Sequence, residues 1–228
     1  MDNRVTIRWW GSFACFTPPA LKTERFSYPF PTPSAIRGAT QCVCWKPEMY
    51  YWVDSLVVLK AGHRVSVTTN GMKATVREGR IPRTEPINLA EGAFRSQRGA
   101  LILADVEYLA TVEVRVPGDD RDMIVKYAEM LRRRVRKGQF VRRPYFGCRE
   151  YAANFELVED PTLFKGDGSL VPDSGGTMIY DPYNPFDLAK QPFNTPCNPT
   201  YFCPKVEPGN RIDMHPERVT LFPRKENI

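Results

Sequence analysis

Hydrophobic and polar residues alternate along several stretches of the chain in the way that β-strands with one buried face require. Leu101–Val116 shows this pattern, and Tyr50–Lys60 is rich in the aromatic and β-branched residues that strands favour. Together with Val5–Trp10 and residues 144–158, they are the predicted strands. Two other stretches carry apolar residues at helical spacing, and they predict helices over Ser34–Trp45 and Asp122–Lys137. The chain therefore mixes strands and helices in an alternating order.

The residues around these elements indicate where each one begins and ends. Prolines at positions 29, 31 and 33 favour extended backbone, so Ser34 is the expected N-cap of the first helix. Gly138 is expected to end the second helix. The order β-α-β, β-α-β is typical of an α+β fold of the ferredoxin-like or RRM-like kind.

The same pattern predicts the domain organisation. Residues 1–160 are expected to form the ferredoxin-like domain, with 61–98 inserted in it as a hairpin or a mobile loop. Residues 161–228 hold more than half of the 21 prolines and are expected to form a small C-terminal β and loop appendage. A length of 228 residues is enough for one substantial hydrophobic core.

Composition excludes several classes of protein. No apolar run approaches the ~20 residues that a membrane span needs, and the first residues lack the apolar core of a signal peptide. We therefore expect a cytoplasmic protein with no membrane partner. The six cysteines lack metal-ligand spacing, so we expect reduced thiols and neither a bound metal nor another cofactor.

The charge distribution points to an acidic partner. There are 32 Lys and Arg against 26 Asp and Glu, a formal net charge of +6. Seven of the basic residues lie within a dozen positions that contain no acid: Arg132, Arg133, Arg134, Arg136, Lys137, Arg142 and Arg143. Such a patch favours nucleic acid, although a run of charges is also compatible with a solvated helix face. A second candidate is the start of the first helix, where Arg37 and Gly38 are suited to hold a phosphate.

Four blocks of sequence, taken together, resemble one protein family. They read WGSFACFTPP, ERFSYPFPTPSAIRGATQCVCWKP, RSQRGALILADVEY and RRRVRKGQFVRRPYFGCREYAANFELVE. In this order, over roughly the first 160 residues, they are similar to the subtype I-C (Dvulg) CRISPR-associated RAMP protein, the fifth-numbered Cas family. The resemblance implies a ferredoxin-like RAMP fold and a place in the crRNA-guided surveillance complex Cascade.

The resemblance also implies an activity and its residues. The chain resembles the subunit that, in that subtype, is a metal-independent endoribonuclease. That subunit cuts the repeat stem-loop of precursor CRISPR RNA and then stays on the 5′ handle. The family pattern has an aromatic or imidazole residue just before WKP and a Lys-His pair early in the second helix. The matching positions here are Cys44, Lys126 and Tyr127, so the lysine is kept and both partners differ from the usual types. Lys126 would stabilise the phosphorane, and Cys44 or Tyr127 would exchange protons, with ordinary pKa values of ~8.5 and ~10.

Other residues are predicted to contact RNA rather than to react with it. They are Arg25, Tyr28, Arg37, Arg132, Arg133 and Arg136. Trp45 is predicted to be either a base-stacking residue or part of the core, and one of Trp9 and Trp10 must face away from the core. Cys44 and Tyr127 each have a structural alternative, as a buried helix cysteine and as a packing residue.

Three hypotheses about function follow. The first is an endoribonuclease that processes CRISPR repeat RNA and remains in the complex. The second is a non-catalytic subunit that binds the crRNA 5′ handle and joins the backbone and large subunits. The third is an unrelated RRM-like RNA-binding protein. In the first two, target DNA is a partner only indirectly, through the complex.

Overall fold

The computed structural model describes residues 3–21, 25–72, 95–166, 176–186 and 199–223. The strands in these ranges are β1 (Arg4–Ala14), β2 (Arg25–Phe26), β3 (Tyr50–Lys60), β4 (His63–Met72), β5 (Arg95–Arg115), β6 (Asn154–Val158), β7 (Met178–Asp181), β8 (Thr200–Phe202), β9 (Val206–Glu207), β10 (Arg211–Asp213) and β11 (Phe222–Pro223). The α-helices are α1 (Pro33–Val43) and α2 (Arg121–Arg136).

The main sheet has the strand order of a ferredoxin-like fold. Its path runs β6-β1-β5-β3, and every neighbouring pair on that path is antiparallel. The chain therefore folds as β1-α1-β3 followed by β5-α2-β6, which confirms the predicted α+β class. Apolar residues of both helices, such as Ile36 and Leu131, join sheet residues such as Trp9 and Tyr108 in one buried cluster.

Helix α1 begins earlier than the sequence predicts. The N-cap is Thr32, whose side-chain oxygen accepts a hydrogen bond from the Ala35 amide at 3.2 Å, and not Ser34. Pro33 occupies the first helical position, where its fixed φ favours the helix and its missing N–H is not needed. The helix ends at Val43, because Cys44 has extended backbone angles.

Helix α2 lies within one residue of its predicted limits at both ends. Asp120 caps its N-terminus by accepting hydrogen bonds from the amides of Asp122 and Met123. Gly138 follows the C-cap with a φ of +62°, a left-handed conformation that favours glycine.

The strands differ from the prediction mainly in length. β5 begins at Arg95 rather than Leu101, because its first half pairs with β4 in a hairpin. The predicted strand over 144–158 is wrong in its first part, and only Asn154–Val158 is a strand. Gly147 has a φ of +79°, and the chain there packs against the backbone of Cys15, which is incompatible with a continuous strand. In β1 the side chains alternate as expected: Trp9 is buried and Trp10 is half-buried.

Much of the C-terminal region is built into the domain rather than appended to it. Strand β10 pairs with β3 and extends the main sheet, and β9 pairs with β10 beyond it. Strands β7, β8 and β11 form a second small sheet. Part of the predicted 61–98 insertion, residues 73–94, lies outside the described residues. Within the described ranges, no helix is long and apolar enough to cross a membrane.

Candidate functional site

The basic run predicted from the sequence is divided among different faces of α2. At about 100° per residue, Lys126, Arg133 and Lys137 lie within about 20° of one line along the helix. All three are exposed, and Arg133 has no ion pair with any described residue. We call these three residues the α2 basic face. These three basic side chains form a row about three turns long.

The neighbouring arginines on another side of α2 are balanced by acids. Arg132 donates to Glu129 at 2.7 Å and to the Arg4 carbonyl at 2.6 Å. Arg136 donates to Glu159 at 2.7 Å, and both of these side chains are exposed. Exposed pairs of this kind contribute little to stability, so they remain able to exchange an acid for a phosphate. Arg132 is half-buried and less available than Arg136.

A third member of the run, Arg134, points toward the end of α1. Its guanidinium donates to the Val43 carbonyl at 3.0 Å. The loop after α2 adds two more donors, because the amides of Val141 and Arg142 both contact the Cys42 carbonyl, at 2.8 and 3.1 Å. The C-terminus of α1 would otherwise present unpaired carbonyls that repel an anion. These contacts provide hydrogen-bond donors for the carbonyls at the C-terminus of α1 and surround that helix end with positive charge.

A cavity of about 310 Å³ lies beside this helix end, lined by Gln41, Trp45, Val141 and Arg142. Trp45 is half-buried and Arg142 is exposed, so an aromatic ring and a guanidinium both face the same space. The cavity therefore combines a stacking surface with hydrogen-bonding groups, which are the features that bind an unpaired nucleobase.

Tyr127, one of the predicted catalytic residues, contacts a carboxylate in the loop between α1 and β3, and the other, Lys126, lies beside the Tyr127 ring. The Tyr127 hydroxyl makes a long hydrogen bond of 3.5 Å to Glu48, and the Lys126 ammonium lies 5.7 Å from the centre of the Tyr127 ring. Burial and the Glu48 carboxylate raise the pKa of the Tyr127 phenol. At neutral pH the phenol is thus protonated and is a proton donor.

Cys44 does not join this group as a reactive thiol. It is 1% exposed, and burial raises the pKa of its thiol despite the opposing effect of Arg134. Its carbonyl accepts a hydrogen bond from the buried Tyr51 hydroxyl at 2.8 Å. The prediction that Cys44 exchanges protons required an exposed thiol, and the burial contradicts it. Cys44 acts as a core residue at the end of α1.

Arg37 and Gly38 do not form the predicted phosphate site at the start of α1. Because α1 begins at Pro33, both residues lie beyond its first turn. The Arg37 guanidinium forms a bidentate ion pair with Asp181 of β7, at 2.7 and 2.9 Å, and the two side chains are only 13% and 5% exposed. A side chain added at Gly38 would meet no atom of the described residues within 4 Å, so none of them requires glycine there by a close approach. Arg37 joins α1 to β7.

The remaining predicted RNA contacts, Arg25 and Tyr28, lie in and just after β2. Arg25 reaches the Cys148 sulfur and the Glu150 carboxylate, both at 3.5 Å. Tyr28 packs against the core cluster, and burial raises the pKa of its phenol. The structure does not bring Arg25 and Tyr28 to Lys126 through any of their described contacts.

One buried group among the described residues has side chains that commonly bind metals, namely Asp54, Glu113 and His215. His215 Nε2 lies 3.3 Å from Glu113. Three guanidinium groups already neutralise the two carboxylates: those of Arg4, Arg115 and Arg218. A cation would have to displace them, so the group is an ionic network that holds the C-terminal segment against β3 and β5.

Sequence reasoning missed Glu48, Gln41 and the separate role of Arg134. Glu48 directly follows the WKP motif, so its proximity to that motif was a usable signal. The helical period of α2 would also have separated Arg134 from Arg133 and Lys137. The docking of Arg142 beside Gln41 depends on the path of the loop after Gly138, and no local pattern encodes that path.

Comparison with known proteins gives the family. The family model described as CRISPR-associated protein (Cas_Cas5), of the Cas5d type, matches residues 5–180. The CRISPR pre-crRNA endoribonuclease Cas5d of Thermus thermophilus is 36% identical over 183 residues, which cover 78% of this chain and 72% of the relative. The protein of the same name from Mannheimia succiniciproducens is 36% identical over 169 residues, 70% of this chain and 75% of the relative.

A solved structure described as a CRISPR-associated protein shares the fold. It has a TM-score of 0.64 and 19% sequence identity, and the match covers 97% of each chain. The resemblance found in the four sequence blocks is therefore confirmed by independent matches to both sequence and fold. The chain belongs to the Cas5 family of CRISPR-associated proteins, in its Cas5d group.

Proposed function

We propose that this protein is an endoribonuclease that cuts precursor CRISPR RNA within the repeat and then holds the 5′ handle inside a Cascade complex. The observation that carries the proposal is the juxtaposition of Lys126, Tyr127 and Glu48 at one end of the α2 basic face. Both Cas5d relatives are named pre-crRNA endoribonucleases, which supports the same activity. The partners would be the repeat RNA and the backbone and large subunits, with target DNA reached only through the complex.

In the proposed reaction, the Glu48 carboxylate accepts the proton of a ribose 2′-hydroxyl as its oxygen attacks the adjacent phosphorus. The P–O5′ bond breaks, and the leaving 5′ oxygen takes the proton of the Tyr127 phenol. The ammonium group of Lys126 stabilises the charge that develops on the phosphorane. The products are a 2′,3′-cyclic phosphate and a 5′-hydroxyl. Each charge and proton is supplied by a side chain, so the mechanism does not require a metal.

Binding would use the surface beside these residues. Arg133 and Lys137 would follow the phosphates, and the cavity at Gln41, Trp45 and Arg142 would take an unpaired base next to the stem. Stacking on an aromatic side chain contributes about 1–3 kcal/mol per base. Arg132 and Arg136 would contribute where an RNA phosphate replaces their acidic partners.

The second candidate is a subunit that binds the 5′ handle without cutting. It is favoured by the burial of Cys44 and by a phenol at position 127 where the family pattern has an imidazole. A phenol with a raised pKa is a poorer proton-transfer group near pH 7 than an imidazole. The binding surface would be the same in both candidates, so only a cleavage assay separates them.

The test is to incubate the purified protein, in EDTA, with the repeat RNA of its own locus and to follow the RNA on a denaturing gel. The wild type should give a single cut at the base of the stem. Lys126→Ala should lower the rate at saturating protein by about 10²-fold or more while affinity stays close to wild type. Lys137→Ala, on the same face, should weaken binding without changing that saturated rate.

Two results would count against the proposed reaction. Tight binding with no cut by the wild type would leave the non-catalytic subunit as the function. A cut that survives Lys126→Ala at full rate would place the reacting groups elsewhere in the protein. An affinity that hardly changes with salt concentration would contradict both candidates, since each relies on phosphate contacts by Arg and Lys.

A further inference from the structure

Two cysteines that the proposed function does not use lie in contact on another side of the molecule. Cys15 follows the end of β1, and Cys148 lies in the loop between α2 and β6. The Cys15 amide donates to the Phe146 carbonyl at 3.1 Å, and Gly147 packs directly against the Cys15 carbonyl. These backbone contacts hold the two segments side by side.

Cys148 packs against the buried cluster that contains Cys15, Ala100 and Ile102, and polar groups lie beside both thiols. The Thr17 hydroxyl lies 3.3 Å from the Cys15 sulfur, and the Arg25 guanidinium lies 3.5 Å from the Cys148 sulfur. The hydrogen bond from the Cys148 thiol lowers the pKa of Cys15 to about 6 and raises the pKa of Cys148. A lowered pKa increases the fraction of Cys15 that is present as the nucleophilic thiolate.

Cys15 is only 1% exposed, but it lies at the wall of an open cavity that is large enough for a small oxidant. Cys15 lines an open cavity of about 350 Å³, together with Thr17, Gly147 and residues at the start of α1. That volume is many times that of a water molecule, and hydrogen peroxide is only slightly larger than water. Cys148 is half-buried on the other side of the pair.

We propose that Cys15 and Cys148 are a redox-active pair that forms a reversible disulfide when the protein meets a peroxide. The Cys15 thiolate attacks one peroxide oxygen, the S–O bond forms, and the O–O bond breaks to release hydroxide. The Cys148 sulfur then attacks the resulting sulfenic acid, so the S–S bond forms and the S–O bond breaks. The departing hydroxide takes the Cys148 proton. Overall the pair loses two electrons and the peroxide becomes two waters.

The other described cysteines provide internal comparisons. Cys42 and Cys44 lie two residues apart near the end of α1, and burial raises the pKa of each thiol. Cys203 is exposed, and it has no hydrogen bond to another described thiol. If exposure alone decided oxidation, Cys203 would react first. If the hydrogen-bonded pair decides it, Cys15 and Cys148 react first.

The test is to treat the full-length protein with increasing hydrogen peroxide, block remaining thiols with N-ethylmaleimide, and map disulfides by mass spectrometry without reduction. A peptide pair joining Cys15 to Cys148 should appear at the lowest peroxide concentrations and disappear after dithiothreitol. In Cys148→Ser the second step has no partner, so dimedone should trap a sulfenic acid at Cys15. The Cys42→Ser variant should still form the bridge.

The proposal is overturned if Cys203 is oxidised at peroxide concentrations that leave Cys15 and Cys148 fully alkylated. It is also overturned if Cys148→Ser gives no dimedone adduct at Cys15 while the wild type forms no bridge. The readout follows sulfur chemistry alone and requires no RNA. A failure here and a failure of RNA cleavage are therefore separate results.

Discussion

Replacing Arg37 by alanine tests whether this arginine serves the fold or the RNA. The substitution removes both hydrogen bonds to Asp181 and leaves that carboxylate 5% exposed without its cation. Removing one partner of a buried ion pair costs about 3–5 kcal/mol. Asp181 keeps a hydrogen bond from the Tyr183 amide at 3.2 Å, and Arg37 is 13% exposed, so we expect the lower end, about 3 kcal/mol.

The assay is urea unfolding of the wild type, Arg37→Ala, Asp181→Ala and the double variant. A loss of about 3 kcal/mol corresponds to a fall of about 1 M in the urea midpoint for a slope of about 3 kcal/mol/M. The double variant should lose less than the sum of the single variants, because no buried charge is left unpaired. Below the transition, Arg37→Ala should bind repeat RNA as the wild type does.

Arg133→Ala is the matched control on the α2 basic face. It should leave the free energy of unfolding within about 0.5 kcal/mol of wild type, since its side chain is exposed. It should weaken RNA binding and lower the slope of the logarithm of affinity against the logarithm of salt concentration by about 1, as expected for the loss of one phosphate contact. The reasoning about Arg37 is refuted if Arg37→Ala unfolds like the wild type. It is equally refuted if Arg37→Ala is stable but loses RNA affinity, which would make Arg37 an RNA contact as the sequence predicted.

Three further predictions concern the proposed site and its helices. If Tyr127 donates a proton, cleavage should be fast where the phenol is protonated and should fall as the pH rises through its raised pKa. The alkaline limb of the pH–rate profile should therefore lie at a higher pH than an ordinary tyrosine would give. This limb should be absent in Tyr127→Phe. Cys44→Ala should leave that profile unchanged, since the thiol is buried; a shifted profile would restore Cys44 as a reacting group. Asp120→Ala removes the N-cap of α2 and should cost about 1 kcal/mol in urea unfolding, whereas no loss would mean that the cap is dispensable.

The fold was accessible from the sequence because its main elements are strongly patterned. The alternation around Trp9 and the helical spacing in α2 each bury one face, and a shift in register would expose that face. The first and last residues of the helices and strands could be predicted less well. The N-cap moved from Ser34 to Thr32 because both side chains can cap a helix and only the packing of the proline segment selects one. The prediction of a strand over 144–158 was wrong in its first part, because the chain at Gly147 turns and packs against Cys15, a residue distant in sequence.

The candidate site could be predicted only in part from the sequence. The spacing of apolar residues identified α2, the basic run marked it as a surface for an acidic partner, and the motif before Pro47 identified the end of α1. Which arginines face solvent depends on the acids and carbonyls that the fold brings near each one. Glu129 and Glu159 neutralise Arg132 and Arg136, and the end of α1 takes Arg134. Glu129 lies on α2 itself, three residues before Arg132, but Glu159 and the Val43 carbonyl belong to other parts of the chain. The charge available to a ligand is therefore largely a tertiary property.

The sequence by itself determined the class of fold, the family and the sign of the partner's charge. These depend on local periodicity, on motif order and on composition, all of which are written along the chain. Only the tertiary structure decided that Cys44 is buried, that Arg37 is paired with Asp181, and that Glu48 meets Tyr127. Burial and ion pairing depend on residues that are remote in sequence, such as Asp181, 144 positions after Arg37. The reactivity of a side chain follows from those neighbours and not from its residue type alone.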